Sequence, residues 1–171
     1  MPVILSRTRR GDAHELIEAN IASRAYHAPW LAPFTDMVGF EEWFAKHVTG
    51  PNIGFLARDQ ETRAIVGVVN LSEIVMGVFK SAYLGYYGMA AFARRGLMTE
   101  AVRQALRYGF DELGLHRVEA NIQPENAASI ALVRRLGFRQ EGFSPEYLFI
   151  NGDWQDCARW ALLARELDPG A

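Results

Sequence analysis

Apolar positions change period along the chain, and the changes mark out its elements. Val3-Ile4-Leu5 is a short apolar run that predicts a first strand. Ala13, Leu16, Ile17, Asn20 and Ile21 then share one mostly apolar helical face. Asp12 stands where it would cap that helix, with Glu15 in the capping-box position. Pro29 and Pro33 break the pattern twice and leave an aromatic loop over residues 27–34. Phe40, Trp43, Phe44 and His47 fall on one face of a second helix. Gly50-Pro51-Asn52 is a turn signal. Residues 53–57 and 64–71 predict an antiparallel hairpin, and residues 81–89 add a third strand to make a meander.

The period changes after Gly96. Val102, Leu106, Phe110 and Leu113 predict a helix over 97–113, stopped at Gly114. Residues 117–122 alternate as a strand. Strand, helix and strand in that order form a crossover unit, so the two strands are expected to be parallel neighbours. Asn126 caps a further helix with Ile130, Val133 and Leu136 on its apolar face. A strand from Phe138 leads to Gly142, with Pro145 interrupting it. Asn151-Gly152 then predicts a two-residue hairpin turn before a last strand ending near Leu163. The expected fold is α/β in the α+β sense: a mixed, mainly antiparallel sheet of six to seven strands with helices on both faces. Its one parallel pair can splay, leaving a slot whose unpaired backbone groups suit an extended, amide-containing ligand.

Composition narrows the classes. A chain of 171 residues, half of them hydrophobic, suits one domain over 1–171 with a sizeable core. A net charge of −2 gives no indication of nucleic-acid binding as the main work. No apolar run has the length of a membrane span, and no secretory signal is visible, so a cytoplasmic protein is expected. The single cysteine, Cys157, rules out an internal disulfide and reads as a packing residue. His14, His27, His47 and His116 are scattered without metal-ligand spacing, so no metal is expected.

The chemistry concentrates at the strand-to-helix turn around Arg94-Arg95-Gly96. A helix start offers unpaired N–H groups and a positive dipole end, and two arginines add charge there. Such a turn can grip a pyrophosphate.

The order of this turn, Gly96-Leu97-Met98-Thr99-Glu100-Ala101, His116-Arg117-Val118-Glu119-Ala120-Asn121, Pro124-Glu125-Asn126-Ala127-Ala128-Ser129 and Arg135-Leu136-Gly137-Phe138 resembles the GNAT superfamily of N-acetyltransferases. Within it, the chain is most similar to the ribosomal-protein N-terminal acetyltransferases, the RimJ type in particular. The likeness runs from about residue 6 to residue 165. It implies acetyl transfer from acetyl-CoA to an amine, by direct attack in a ternary complex. Arg94, Arg95, Gly96, Leu97, Met98 and Thr99 would hold the CoA pyrophosphate. Tyr87, Gly88 and Met89 would pair with the pantetheine, and Asn121, Asn126 and Ser129 would also touch the cosubstrate. Ser129 is the first choice for returning a proton to the leaving thiolate. Glu73 and Tyr147 are further catalytic candidates. Trp30, Tyr86 and Glu146 would meet the acceptor, and Glu141 is another carboxylate of interest.

The turn departs from the family pattern. Ala91 stands where the family has Arg or Gln, and Arg94 takes the place of the first glycine. A side chain at 94 must accept the backbone angles or shift the loop, and it offers a direct phosphate contact. The expected acceptor is a protein N-terminus, and the resemblance points to a ribosomal protein. A small amine such as a polyamine, amino sugar, amino acid or antibiotic is the alternative. A non-catalytic acyl-CoA-binding or ribosome-binding protein is a third reading. A homodimer through an exposed strand is compatible with all three.

Overall fold

Residues 65–71 are apolar except at Gly67 and Asn70, the pattern of a strand covered on both faces. In the computed structural model, which describes residues 2–168, they open the third strand of a seven-stranded sheet. The strands are β1 (Val3–Arg7), β2 (Ile53–Asp59), β3 (Ile65–Val75), β4 (Ser81–Gly88), β5 (Arg117–Ile122), β6 (Arg139–Ile150) and β7 (Asp153–Leu163). Their spatial order is β1-β2-β3-β4-β5-β7-β6. Every neighbouring pair is antiparallel except β4 and β5.

The helices are α1 (Ala13–Ala22), the single turn α2 (Arg24–His27), α3 (Met37–His47), α4 (Leu97–Arg107) and α5 (Ala127–Arg135). One face of the sheet packs Leu71, Leu84, Val118, Ala120 and Ile122 against Ala101, Val102 and Leu106 of α4 and Val133 of α5. The other face packs Leu56 and Val68 against Leu16 of α1 and Phe40 and Phe44 of α3. No described helix is long and apolar enough to cross a membrane.

Three local expectations change. Asp12 makes no capping bond to α1. A 3-10 turn (Arg10–Asp12) precedes the helix, so Asp12 already has near-helical angles; its carboxylate accepts from the Arg9 N–H and pairs with Arg58. Glu15 also goes to Arg58. The helix expected to reach residue 113 loosens after Arg107 into a π turn (Tyr108–Glu112) that still buries Phe110. Pro145 does not end its strand: β6 runs on, with register shifts between Gln140 and Gly142 and between Ser144 and Leu148. β6 is an edge strand, where a missing N–H costs no ladder bond.

The feature that matters for function is the β4–β5 junction. The crossover through α4 makes these strands parallel, yet they pair only at Ser81 with Arg117, Ala82 with Val118 and Tyr83 with Glu119. Beyond Tyr83 they diverge, although β4 continues to Gly88 and β5 to Ile122.

Candidate active site

Backbone direction in the slot follows from one bond. The Met89 N–H donates to the Val66 carbonyl at 2.8 Å, toward β3. Alternation then turns the backbone groups of Tyr87 and Gly85 toward β3 as well, and those of Tyr86 and Gly88 into the slot. The slot is therefore lined by main-chain groups that β5 does not use. A cavity of about 450 Å³ runs through it, bounded by the loop from Trp30 to Phe34, Trp43, Asn70, Gly85, Tyr86, Asn121, Ser129 and Ile150. A neighbouring cavity of about 170 Å³ lies against His27, Gly88, Met98 and Leu132. The two share Trp30, Leu31, Tyr86, Tyr87, Asn126 and Ser129. No carboxylate and no Lys or Arg lines either one.

Where the cavities meet, the Tyr86 hydroxyl lies 2.6 Å from Ser129 Oγ. Tyr86 comes from β4 and Ser129 from the first turn of α5, which Asn126 caps by accepting the Ser129 N–H at 3.2 Å. Burial pushes the Tyr86 hydroxyl up to about 12, against the opposing pull of its bond to Ser129. Tyr86 is therefore a neutral phenol at pH 7. It can donate to Ser129 Oγ and leave the serine proton free to point at a third group.

His27 from α2 reaches across to β4. Its Nε2 donates to the Gly88 carbonyl at 2.8 Å, and its Nδ1 is buried without a partner. Burial lowers its pKa from 6.5, outweighing the opposing effect of the Gly88 bond. His47 is lowered from 6.5 too, by burial first. A histidine whose folded pKa is depressed stabilises the fold in its neutral form, and that stability is lost as pH falls through and below the unfolded value. Unfolding free energy should therefore drop between about pH 7.5 and 5.5, above the range where carboxylates titrate. Chemical denaturation at both values should show a smaller drop in His27→Gln; an unchanged drop would clear His27 of this role.

The phosphate-turn candidates form a continuous ridge. Arg94 takes left-handed angles (φ 61°) and so does Gly96 (φ 74°). The arginine takes a glycine-like conformation, at a strain of about 1–2 kcal/mol. Arg94, Arg95 and Gly96 are exposed, and Arg95 lies 5.4 Å from the Phe92 ring centre. Gly96 starts α4 without a side-chain cap, so the first N–H groups of the helix have no intrahelical partner. Leu97 turns its side chain into the core, and Met98 lies against the smaller cavity with Thr99 half-buried behind it.

The other sequence candidates divide by position. Trp30, Tyr86, Tyr87, Gly88, Asn121, Asn126 and Ser129 gather at the cavities. Met89 is buried, with its N–H already used by Val66. Glu73 (φ 48°) is exposed outside the cavity linings, with its N–H donated to Asn52 Oδ1 at 3.1 Å. Glu146 (φ 45°) is exposed as well, its N–H donated to Asp156 Oδ1. Tyr147 bonds Tyr83, whose hydroxyl is pushed up to about 12 by that bond first and by burial second. Glu141 is held between Arg117 and Arg139, with Arg117 the main cause of its lowered pKa. Asn70, Trp43, Gly85 and Gln123 line the larger cavity without having been singled out as site residues from the sequence. Asn70 carried a signal, being a lone amide in a run of buried apolar positions.

The profile of the family described as Acetyltransferase (GNAT) domain matches residues 3–139. The [ribosomal protein uS5]-alanine N-acetyltransferase of Escherichia coli is 39% identical over 124 residues, which cover 72% of this chain and 64% of that enzyme. The matched region thus spans less than two thirds of that relative's length. RimJ of Mycobacterium smegmatis, solved in complex with CoA-disulfide, superposes with a TM-score of 0.87 at 28% identity, over 99% of this chain and 85% of that one. The spermidine N-acetyltransferase of Vibrio cholerae, solved with CoA and spermine, gives 0.81 at 26% identity, over 96% and 97%.

Proposed function

The chain belongs to the GNAT acetyltransferase family, and from that premise we propose that it moves an acetyl group from acetyl-CoA to the N-terminal α-amine of a protein. A ribosomal protein is the first class of acceptor to test, because the Escherichia coli relative is named for acting on one. The observation that carries the reading is the Tyr86–Ser129 pair at the junction of two cavities in a splayed parallel strand pair.

The residues fit a CoA thioester. The slot-facing backbone of Tyr86 and the N–H of Gly88, whose carbonyl His27 already holds, suit a pantetheine's amides, and the start of α4 with Arg94 and Arg95 suits its phosphates. Acetyl-CoA supplies an activated acyl carbon and a thiolate leaving group. Slot-facing N–H groups polarise the thioester carbonyl. The amine attacks that carbon, the C–N bond forms, and the C–S bond breaks. Ser129 donates its proton to the leaving sulfur while Tyr86 donates to Ser129 Oγ. The attacking nitrogen passes its extra proton to water, and water returns one to Ser129 Oγ, so the enzyme ends as it began. An α-amine has a pKa near 8, so making it neutral at pH 7 costs only about 1 kcal/mol, and no strong base is required.

The test is intact-mass detection of product with acetyl-CoA and two acceptor sets: peptides beginning with Ala, Ser or Met, and a panel of small amines including spermidine. A single acetyl on a peptide α-amine is expected. Modification of a small amine alone would transfer the protein to the second class, which the spermidine enzyme's similarity keeps in view. CoA binding without any product would favour a non-catalytic binder. The phosphate turn has its own test. A Cβ at Gly96 would meet nothing within 4 Å, so Gly96→Val strains the left-handed backbone without a clash at its Cβ. It should weaken CoA binding about tenfold or more in calorimetry, for a strain of about 1–2 kcal/mol. Unaltered affinity would remove the turn from the CoA site.

A further inference from the structure

Among the described residues, four that line the larger cavity carry a buried polar atom without a hydrogen-bond partner. The Tyr87 hydroxyl is turned toward Asn20, and the other three belong to one row. Asn70 Oδ1 and Asn121 Oδ1 are acceptors, Trp43 Nε1 is a donor, and all three are buried. An unpaired buried polar atom costs about 1–3 kcal/mol, so a ligand in this opening toward which the three side chains turn would relieve three such costs at once. Their arrangement is regular. Asn70 stands opposite Gly85 in the β3–β4 ladder. The β4–β5 register matches Tyr83 with Glu119, and two residues further on it sets Gly85 abreast of Asn121. Asn70, Gly85 and Asn121 form a row across three strands, on the face turned away from α4 and α5. A methyl at Gly85 would meet nothing within 4 Å, so the row has a gap at its centre and a carboxamide on each side. Trp43 closes one end: a Cβ at Gly54, the β2 neighbour of Asn70, would lie 2.9 Å from its ring.

We infer that this row is the seat of the acceptor's reacting end, and that it takes an aminoacyl terminus: a primary amine whose neighbouring carbon bears a carbonyl. The inference rests on the transfer reading above. The amine N–H groups donate to the oxygens of Asn70 and Asn121, which a half turn about the last side-chain torsion can present to the cavity. The carbonyl accepts from the Trp43 indole N–H. Uncharged carboxamides favour the neutral, nucleophilic amine, whereas carboxylates there would hold the ammonium form. A polyamine offers donors only. It would leave the Trp43 N–H unpaired and set several positive charges in a cavity without a carboxylate.

Two variants test the seat. Gly85→Val fills the gap, and its Cβ meets no atom within 4 Å, so its melting temperature and acetyl-CoA affinity should stay close to those of the parent. Its kcat/KM for an alanine-starting peptide should fall about a hundredfold, the scale of a displaced reacting group. Trp43→Phe keeps the ring and deletes one N–H. Its kcat/KM for that peptide should fall about tenfold, against less than about twofold for the same peptide with its first carbonyl replaced by methylene. Equal falls for both acceptors, or a Gly85→Val protein that transfers at the parent's rate, would overturn the seat and leave the transfer reading standing. If the parent transfers to no amine, the transfer reading fails. Calorimetry of the peptide with the CoA-loaded protein then decides the seat: binding weakened by Gly85→Val upholds it, and no binding overturns it.

Discussion

In the Ser129→Ala protein, kcat for peptide acetylation falls about a hundredfold or more, while acetyl-CoA affinity changes less than about threefold. The split follows from geometry. The Ser129 hydroxyl is bonded to Tyr86 at 2.6 Å, whereas the serine's backbone N–H is what Asn126 binds to cap α5. Alanine keeps the N–H, so the helix start and the cosubstrate groove persist. What is lost is the proposed proton donor, a contribution of the size general acids make. Tyr86→Phe should lower kcat by a smaller factor, about tenfold, because it removes only the group that orients the serine hydroxyl. The double variant should be no slower than Ser129→Ala alone, since two residues acting through one hydroxyl are not additive. Steady-state kinetics with thiol release as the readout checks all three. Undiminished kcat in Ser129→Ala with every acceptor would take Ser129 out of the mechanism.

Gly67→Ala should damage the central sheet far more than its size suggests. A Cβ at Gly67 would lie 2.4 Å from Met98 Sδ and 2.5 Å from the Tyr87 carbonyl oxygen. The methionine can swing away, but Tyr87 O is backbone of the paired strand, so β3 and β4 must part. Overpacking of this kind costs about 2–3 kcal/mol, or about 4–12 °C in melting temperature for a chain this size. Gly88→Ala is the control. Its Cβ would press on Met98 Cγ at 2.9 Å, with no other atom nearer than 3.7 Å, and a flexible side chain can yield. Thermal unfolding should rank Gly67→Ala well below Gly88→Ala; the reverse order would mean that the sheet adjusts at Gly67.

The meander, the crossover and the Asn151-Gly152 turn were legible because each rests on local chemistry. Asn151 and Gly152 indeed have the positive φ values, 54° and 81°, that such a turn requires. The gathering of Trp30, Tyr86, Asn126 and Ser129 followed from motif order. Their pairing did not: Tyr86 and Ser129 lie 43 residues apart, and only the packing of α5 beside the slot sets their distance. A strand ending at residue 71, as its apolar run predicts, would set Glu73 just beyond its end. The strand instead runs on to Val75 with a register shift after Ser72, and the positive φ at Glu73 accompanies its exposure. Trp43 read as one more aromatic on a core-facing helix, and no periodicity could reveal that its indole nitrogen lacks a partner.

The splayed junction gives this sheet inner edges as well as outer ones. Unpaired strand edges invite other chains to add on, and the outer pair is guarded. β1 has only five residues, and β6 carries Pro145 and two register shifts. The inner edges, Leu84 to Gly88 and Ala120 to Ile122, have neither proline nor charge. Their protection is access alone, since only something as thin as a single extended chain can enter between them. A cosubstrate with amides along its length would serve there as the missing strand, so that its binding completes the sheet.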